Sequence, residues 1–336
     1  MKKKVLLTSF GGVWSLAFYE DFLKRGDYRV FFADVDSRAR ARCFVKDFLT
    51  LLSPGDPHYV DDLFAICRRN DIRFVIPGAD EEALRLMPER ARFERAGILL
   101  AVQDMETALC FSSKSRMYDF LRKKGFPVPF YKRFKTKQGF EDALLSAEYP
   151  ARPLLIKPDN GRGGRGVILL SQRAFPNKDQ LQIMDSAAFR QMIDDEQEYI
   201  LMDYFEADTY DMDVLTYEDG SVFFGLRKRF ANVSKVFMGN IFERHERIEE
   251  LCRKLYNVLP TRYLIDYDII VPEGREPFLM EVNPRPSGST ISYLPFGYNL
   301  YHILMQTYLD KKKTVPDGSY IGRTAHAFHR VLKDAR

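Results

Sequence analysis

The stretch FLMEVNPRPSGST, residues 278–290, gives the clearest structural signal in the sequence. It begins as a strand, and because side chains alternate along a strand, Glu281 and Asn283 share one face. Two prolines then hold the chain in a stiff, extended turn around Arg285. A strand that ends in two oxygen-bearing side chains and an arginine is typical of a binding site.

A second strand precedes this stretch and predicts a β-hairpin over residues 264–283, LIDYDIIVPEGREPFLMEVN. If the turn is symmetric about its centre, Asp268 faces Glu281. Two residues further along, Asp266 faces Asn283, so all four side chains lie on one face of the hairpin. The opposite, apolar face is expected to carry Ile265, Tyr267, Ile269, Met280 and Val282.

The polar face of this hairpin predicts a metal site at Asp268, Glu281 and Asn283. Two carboxylates directly opposite one another repel, so a positive charge is expected between Asp268 and Glu281. Carboxylate and amide oxygens suit Mg²⁺ or Mn²⁺, and Mg²⁺ usually shares its coordination with substrate phosphates. A lysine counter-ion is the alternative. Arg285, just past these residues, could brace a phosphoryl group with its planar guanidinium.

A glycine-rich loop in PLLIKPDNGRGGRGVILLS, residues 153–171, joins two further strands. Its glycines free the backbone to approach a polyphosphate, and Lys157 ends the strand before it. It is not a Walker A loop, since GxxxxGK[ST] is absent and a strand follows. Phosphate binding is favoured over a plain hairpin tip, which needs fewer glycines. The predicted phosphate-binding glycines are Gly161, Gly163, Gly164 and Gly166.

The second indication of phosphate binding is a lysine in the first turn of a helix. SSKSRMYDFLRKKGFPVP, residues 112–129, predicts a capped helix with Lys114 near its start. The helix dipole favours anions at that end, so a lysine there makes sense if it reaches away to a phosphate. A solvated surface lysine is the alternative.

Two further regions frame these signals. In the first 105 or so residues, strands alternate with helices, which predicts a doubly wound parallel sheet. Its glycine turn, SFGGVWS, lacks the GxGxxG pattern of dinucleotide binding. Residues 198–225 predict three strands, and Asp211 and Asp213 share a strand face there, which simple packing does not explain.

The overall composition narrows the class of protein. The 336 residues carry a net charge of +4, with basic and acidic residues interleaved, which does not favour nucleic-acid binding. The four cysteines show no CxxC spacing, so neither a disulfide framework nor a zinc site is expected. Because no secretory signal and no run of 18 apolar residues occurs, we expect a cytoplasmic protein without a membrane span.

These pieces, in this order, resemble the ATP-grasp superfamily. The similarity is to free-standing proteins that resemble one ATP-grasp module of the carbamoyl-phosphate synthase large subunit. It rests on Lys114, on Lys157-Pro158 with GRGGRG, on YILMDY at 199–204 and on MEVNPRPSGS at 280–289. It implies a Rossmann-like pre-ATP-grasp domain over 1–108, a two-lobed ATP-grasp domain over 109–305 with a lid at about 125–200, and a C-terminal tail over 306–336.

The resemblance also implies roles for individual residues. Lys114, Lys157 and the 161–166 loop would hold the ATP phosphates, with Lys157 and Arg285 acting in catalysis. The backbone of Met202, Asp203 and Tyr204 would contact the adenine, and Asp211 the ribose. Asp268, Glu281 and Asn283 match the magnesium ligands, although the first of these is more often glutamate or glutamine. The candidate substrate contacts are Arg227, Arg229, Asp80, Glu81, Ser287 and Gly288.

The function that this resemblance implies is an ATP- and Mg²⁺-dependent ligase. It would join a small carboxylate, with an amino acid the leading candidate, to an amine through an acyl phosphate. Carboxyphosphate or carbamoyl-phosphate chemistry and a non-catalytic ATP-binding protein are the alternatives. The family makes a homodimer plausible, and the sequence identifies neither substrate.

Overall fold

The computed structural model describes residues 2–160, 166–172, 181–230 and 237–328. The predicted glycines Gly161, Gly163 and Gly164 lie outside these residues. The strands in chain order are β1 (Lys4–Leu7), β2 (Arg29–Asp34), β3 (Phe48–Thr50), β4 (Phe74–Ile76), β5 (Leu99–Leu100), β6 (Tyr131–Phe134), β7 (Leu154–Pro158), β8 (Ile168–Leu170), β9 (Gln182–Met184), β10 (Tyr199–Asp203), β11 (Asp208–Thr216), β12 (Val222–Arg229), β13 (Gly239–Phe242), β14 (Leu264–Val271), β15 (Phe278–Asn283) and β16 (Thr324–His326).

Helices alternate with these strands in the N-terminal part and cover the sheets elsewhere. The α-helices are α1 (Ser15–Arg25), α2 (Tyr59–Asn70), α3 (Asp80–Leu86), α4 (Arg90–Arg95), α5 (Met105–Cys110), α6 (Lys114–Lys123), α7 (Lys137–Ser146), α8 (Ser186–Gln191), α9 (Glu246–Val258) and α10 (Leu300–Asp310). Short 3₁₀ helices span Arg40–Cys43, Met87–Glu89 and Gly288–Phe296. No helix within the described ranges is long and apolar enough to cross a membrane.

The N-terminal sheet is parallel, with strand order β3-β2-β1-β4-β5, which confirms the predicted doubly wound domain. Side chains alternate between two cores because successive residues point to opposite faces. Leu6 of β1 lies in the core beneath α2 and α3. Val5 and Leu7 lie in the other core, which also contains residues of α1 and α10. The sheet is therefore buried on both faces.

Two antiparallel-rich sheets form the rest of the molecule. One has the order β6-β10-β7-β8-β9, and the other has the order β15-β14-β11-β12-β13-β16. A shared hydrophobic core joins them, with Leu155 and Met202 from the first sheet and Met212 and Tyr267 from the second. The predicted strand at 199–203 is confirmed as β10, and the glycine-rich loop joins the antiparallel pair β7 and β8.

The C-terminal segment is built into the core. Within the tail over 306–336, β16 pairs with β13 at the edge of the six-stranded sheet. Tyr301 of α10 packs edge-on against Phe10 and Phe18 of the N-terminal domain, with ring centroids 5.2 Å apart in both pairs. The predicted boundaries after residues 108 and 305 fall inside α5 and α10.

Candidate functional site

The β14–β15 hairpin has the predicted register at the site. Asp268 pairs with Glu281, and Asp266 pairs with Asn283. Beyond Asp268 the register shifts by one residue, because a β-bulge leaves Met280 as the extra residue. Leu279 consequently fills the core in place of Met280, which is only half-buried. The expectation that Met280 lines the apolar face is therefore wrong.

The hairpin continues a polar face that spans four strands. In β11, Asp211 pairs with Asp268 of β14 on one side and with Arg227 of β12 on the other. Asp213 of β11 pairs with Asp266 in the same way. We call these side chains the acidic face. Its members are Asp211, Asp213, Arg227, Arg229, Asp266, Asp268, Glu281 and Asn283.

Arg227 lies at the buried end of the acidic face, and its side chain is 0% exposed. Its Nε and Nη2 donate to the two oxygens of Asp213 at 2.6 and 2.9 Å. Its Nη1 donates to Asp211 Oδ2 at 3.2 Å, to Asn240 Oδ1 at 3.0 Å and to Ser289 Oγ at 2.6 Å. All of these partners lie within the protein, and the substrate contact predicted for Arg227 stays a prediction.

Arg229 lies at the open end of the acidic face, with 35% of its side chain exposed. It donates through Nε to Asp211 Oδ1 at 2.9 Å and through Nη2 to Asp268 Oδ1 at 2.7 Å. Lys114 Nζ lies 3.1 Å from Glu281 Oε1 on the next strand. The positive charge expected between the two opposed carboxylates is thus supplied here by an arginine and a lysine together.

Burial and neighbouring charges shift several pKa values at this face. Burial raises the pKa of Asp268 to about 6 against the opposing effect of Arg229. The pKa of Asp266 is raised well above its ordinary range by burial and by the carboxylates of Asp211 and Asp268. Burial alone would also raise the pKa of Asp211, but Arg229 and Arg227 hold it below its usual value. The acidic face therefore carries more carboxyl groups than its two arginines can neutralise.

These residues fit a divalent cation. Asp211, Asp266 and Asp268 can each offer a carboxylate oxygen, and these oxygens lie within 4.8 Å of one another. The Oδ1 atom of Asp266 is buried without a hydrogen-bond partner. Hard oxygen atoms at this spacing suit Mg²⁺ or Mn²⁺, with Glu281 opposite Asp268 to extend the set. Sequence reasoning placed Asp266 on this face but did not include it among the candidate ligands.

Asp211 has two arginine partners on the acidic face. Its side chain is 3% exposed, and it accepts hydrogen bonds from Arg227 and Arg229. The ribose contact that the resemblance implies for Asp211 stays a prediction.

Two lysines meet the acidic face from the neighbouring sheet and helix. Lys157 on β7 is buried, and burial together with the nearby Lys114 lowers its pKa to about 8. The first turn of α6 is fixed by Asp159, whose carboxylate accepts from Ser115 N at 2.8 Å and from Ser115 Oγ at 2.6 Å. Asp159 was missed by the sequence analysis, although it directly follows the Lys157-Pro158 pair. This anchor brings Lys114 to Glu281.

A small cavity of about 80 Å³ lies where these groups converge. Its lining includes Asp80, Glu81, Lys114, Glu281 and Asn283, so the N-terminal domain reaches the hairpin. The ion pair between Arg285 Nε and Asp80 Oδ1, at 3.1 Å, closes one side. Arg285 Nη2 also donates to Asn283 Oδ1 at 3.3 Å. Lysine and arginine cations thus meet several carboxylates at this cavity.

The proposed adenine hinge lies at the end of β10. Asp203 is buried, and its Oδ2 accepts from Phe130 N at 3.1 Å while Arg152 Nη1 lies 2.9 Å from Oδ1. The side chain therefore braces the end of β10, and the adenine contact of the backbone of Met202 to Tyr204 stays a prediction.

Two glycines can be placed relative to the site. Gly166 has a φ of +69°, and a Cβ there would lie 2.9 Å from Pro158, which explains why glycine ends the loop. Gly288 is exposed at the start of a 3₁₀ helix, and Ser287 caps that helix by accepting from Ser289 N. Ser287 and Gly288, both predicted substrate contacts, follow Arg285 by two and three residues in the chain.

Comparisons with known proteins identify similar sequences and folds. The family profile described as "ATP-grasp domain" matches residues 111–289. The profile described as "PylC-like, N-terminal domain" matches residues 5–101. Among curated proteins, no sequence matches this chain.

Solved structures with similar folds include three synthetases or carboxylases. Biotin carboxylase from Campylobacter jejuni superposes with a TM-score of 0.69 at 14% identity, over 96% of this chain and 74% of that one. A carboxyaminoimidazole ribonucleotide synthase from Aspergillus clavatus, complexed with ATP, gives a TM-score of 0.69 at 15% identity over 96% and 80%. An L-amino acid ligase from Bacillus licheniformis gives 0.63 at 14% identity over 91% and 73%. At these identities the likeness concerns the fold.

Proposed function

Because the chain belongs to the ATP-grasp family, we propose that it is an ATP- and Mg²⁺-dependent ligase that joins a carboxylate to an amine and releases ADP. One observation carries the proposal. Lys114 and Glu281 line one small cavity together with Asp80 of the N-terminal domain. Lys157, Asp268 and Arg285 lie beside these lining residues. Cations for phosphates and carboxylates for a metal are the two halves of a site for a metal-bound nucleotide.

The lysines would bind the phosphates of ATP, and the acidic face would bind the metal ion. Lys114, Lys157 and backbone amides of the 161–166 loop would contact the phosphates of ATP. Asp268, Glu281 and Asn283, with Asp266 beside them, would hold Mg²⁺, which supplies charge neutralisation for the phosphoryl oxygens. The lowered pKa of Lys157 fits this role, since a buried lysine without an anion is a poorly solvated charge that a phosphate would stabilise. The backbone of Met202 to Tyr204 would contact the adenine.

The reaction would proceed in two balanced steps. A carboxylate oxygen of the first substrate attacks the γ-phosphorus of ATP, a new P–O bond forms, the bond to the β-phosphate oxygen breaks, and ADP leaves. The amine of the second substrate then attacks the acyl carbon, a C–N bond forms, and inorganic phosphate leaves as the amine loses a proton. No protein nucleophile takes part. The protein contributes position and electrostatic stabilisation.

The arginines at the edge of the cavity would act on the reacting groups. Arg285 is placed to spread charge from the transferring phosphoryl group with its planar guanidinium. Arg229, at the open end of the acidic face, is the better placed of the two β12 arginines to contact a substrate carboxylate, since part of its side chain is exposed. Asp80 and Glu81 line the same cavity and suit the amine substrate by charge.

A coupled assay of ADP release tests this function. Small carboxylic acids and amino acids are supplied with Mg-ATP, singly and in pairs, and bicarbonate is included to detect carboxyphosphate chemistry. We expect ADP only with a particular acid and amine, and its loss in Glu281→Gln. Glu276→Gln is the matched control, because Glu276 lies in the same hairpin turn but is exposed and pairs with the surface residue Arg247.

Positional-isotope exchange in ATP sharpens the test. With the acid present and the amine left out, the acyl phosphate should form reversibly and scramble the label between the bridging and non-bridging oxygens. ATP that binds without any turnover, whatever acid is supplied, would contradict the ligase and indicate a nucleotide-binding protein. ADP release with bicarbonate alone would favour carboxyphosphate chemistry.

A further inference from the structure

A second cavity, of about 780 Å³, has no part in the nucleotide site. It is lined by the segment after β1, including Trp14 and Ala17, and by the segment after β2, including Phe44. The opposite wall comes from the 3₁₀ helix that follows the β14–β15 hairpin, including Ile291 and Leu294. Ligands of open α/β sheets bind outside the carboxyl ends of the strands, and β1 and β2 end here.

The lining has the character of a pocket for a large apolar group. Trp14 and Phe237 meet edge-to-face across it, with ring centroids 5.6 Å apart. Arg40 and Glu20 both belong to the lining, so their charges offset one another and the wall does not select an anion such as a phosphate. The volume lies within the range of roughly 300–1,000 Å³ that holds small organic molecules. It is about 25 times the volume that one water molecule takes in the liquid.

The cavity wall touches the acidic face through a short chain of hydrogen bonds. Ser292 lines the cavity and donates to Asn240 Oδ1 at 2.8 Å. The same oxygen accepts from Arg227 Nη1 at 3.0 Å. On the other side, β1 is the sheet neighbour of β4, which leads to Asp80 in the small cavity. Both cavities are therefore lined by segments that follow neighbouring strands of the N-terminal sheet and by residues at or after the end of β15.

We propose that this apolar cavity binds the body of one substrate, so that the enzyme acts on a carboxylic acid with a bulky apolar group. The proposal rests on the proposed function for the reacting carboxylate and on the cavity for the rest of the substrate. A small polar acid would leave most of this cavity empty. The proposal therefore distinguishes this chain from ligases that act on such acids.

Trp14 provides a direct assay, because it is the single tryptophan of the chain and lies in the lining. Its fluorescence is followed while straight-chain carboxylates from butanoate to decanoate are added without ATP. We expect a saturable change in emission, with affinity rising about fourfold for each added methylene until the cavity is full. A response that depends on chain length in this way measures apolar burial.

Two variants tie this response to the cavity. Ala17→Phe, on α1, fills the cavity and should weaken decanoate binding at least about tenfold. Ala91→Phe, at an exposed position of α4, makes the same change elsewhere and should leave binding as in the native protein. Leu294→Ala enlarges the cavity and should move the point at which affinity stops rising to a longer chain.

The outcomes separate this inference from the ligase itself. Unchanged Trp14 emission with every acid, or decanoate binding that Ala17→Phe leaves intact, overturns the inference, even if small polar acids release ADP. Saturable binding that Ala17→Phe abolishes, together with no ADP release from any acid, supports the cavity and contradicts the ligase. ADP release that increases with chain length supports both.

Discussion

The two arginines of β12 lie two residues apart on the same face, yet they differ in almost every physical respect. Arg227 has no exposed surface and bonds to Asp213, Asp211, Asn240 and Ser289. Arg229 is partly exposed and bridges Asp211 to Asp268. The first lies among neighbours that ligand binding would leave in place. The second occupies oxygen atoms that a metal would need.

The difference shows how one polar face can serve both stability and function. At the inner end, the charges are neutralised by a permanent partner, because an unpaired charge buried there would cost several kcal/mol. At the outer end, the carboxylates have partners that water can replace, so a cation can take their place at a modest cost. The strand that carries both arginines thus runs from the core into the site.

The largest expected effect comes from breaking the inner end. Arg227→Met leaves Asp213 and its neighbours buried without a counter-charge and should lower the free energy of unfolding by about 3–5 kcal/mol. Urea unfolding measures the change. Arg190→Met is the control, since the Arg190–Glu141 pair is about half exposed and should change stability by about 1 kcal/mol or less. Equal losses in both variants would remove the distinction between buried and exposed pairs.

The next largest effect concerns catalysis by Arg285, which contacts Asn283 of the acidic face. Arg285→Gln removes the guanidinium next to Asn283 and should lower kcat by about a hundredfold to a thousandfold, as for other groups that stabilise transition-state charge. Stability should change little by comparison with Arg227→Met. The check is kcat beside urea unfolding in the same preparation. A rise in KM with kcat intact would instead assign Arg285 to substrate binding.

A smaller effect concerns metal binding. Arg229→Gln removes the cation that competes for Asp211 and Asp268, so Mn²⁺ should bind up to about tenfold more tightly in the absence of nucleotide. Electron paramagnetic resonance of free Mn²⁺ measures the affinity. Lys228→Gln is the control, because Lys228 pairs with Asp208 away from the acidic face. Weaker Mn²⁺ binding in Arg229→Gln would show that the arginine supports the metal site.

The smallest effect extends the comparison to a buried carboxylate without an arginine. Glu82 is 1% exposed and accepts from the hydroxyls of Thr8, Ser9 and Tyr59. Burial raises its pKa above the ordinary 4.5 although these hydroxyls oppose the shift. The folded state therefore binds the proton more tightly than the unfolded chain. The resulting stability is present below about pH 4.5 and is lost as the pH rises through the folded-state pKa.

Glu82→Gln cannot ionise, so it should gain stability relative to the native protein as the pH rises from acidic to neutral. Urea unfolding of both proteins at several pH values measures this difference. A difference that stays constant with pH would mean that the three hydroxyl donors fully offset the burial of the charge.

The sequence was most informative where local rules decide the structure. The register of β14 and β15 followed from a symmetric turn and the alternation of side chains, and it holds at Asp268 and Glu281. It failed beyond the bulge, because which residue fills the core there depends on packing from other elements. The doubly wound sheet and the β7–β8 hairpin were also predicted from local patterns.

Neighbour relations between distant strands could not be predicted in the same way. Spacing shows that Asp211 and Asp213 share a face, but not that β12 lies beside them and inserts Arg227 between their carboxylates. For that reason the burial of Arg227, a predicted substrate contact, could not be foreseen from the sequence. The anchor between Asp159 and Ser115 was missed for the same reason, since it joins a strand end to a helix 44 residues away.

The contact of α10 with the N-terminal sheet affects the order in which the chain can fold during synthesis. The core that contains Val5, Phe10 and Phe18 also contains Tyr301 and Leu304. The N-terminal sheet therefore keeps part of one apolar face uncovered until residues 300–310 have been made. Uncovered apolar surface promotes aggregation, so the nascent chain is a natural client for chaperones. Removing α10 should leave the N-terminal sheet exposed and insoluble even though its own residues are complete.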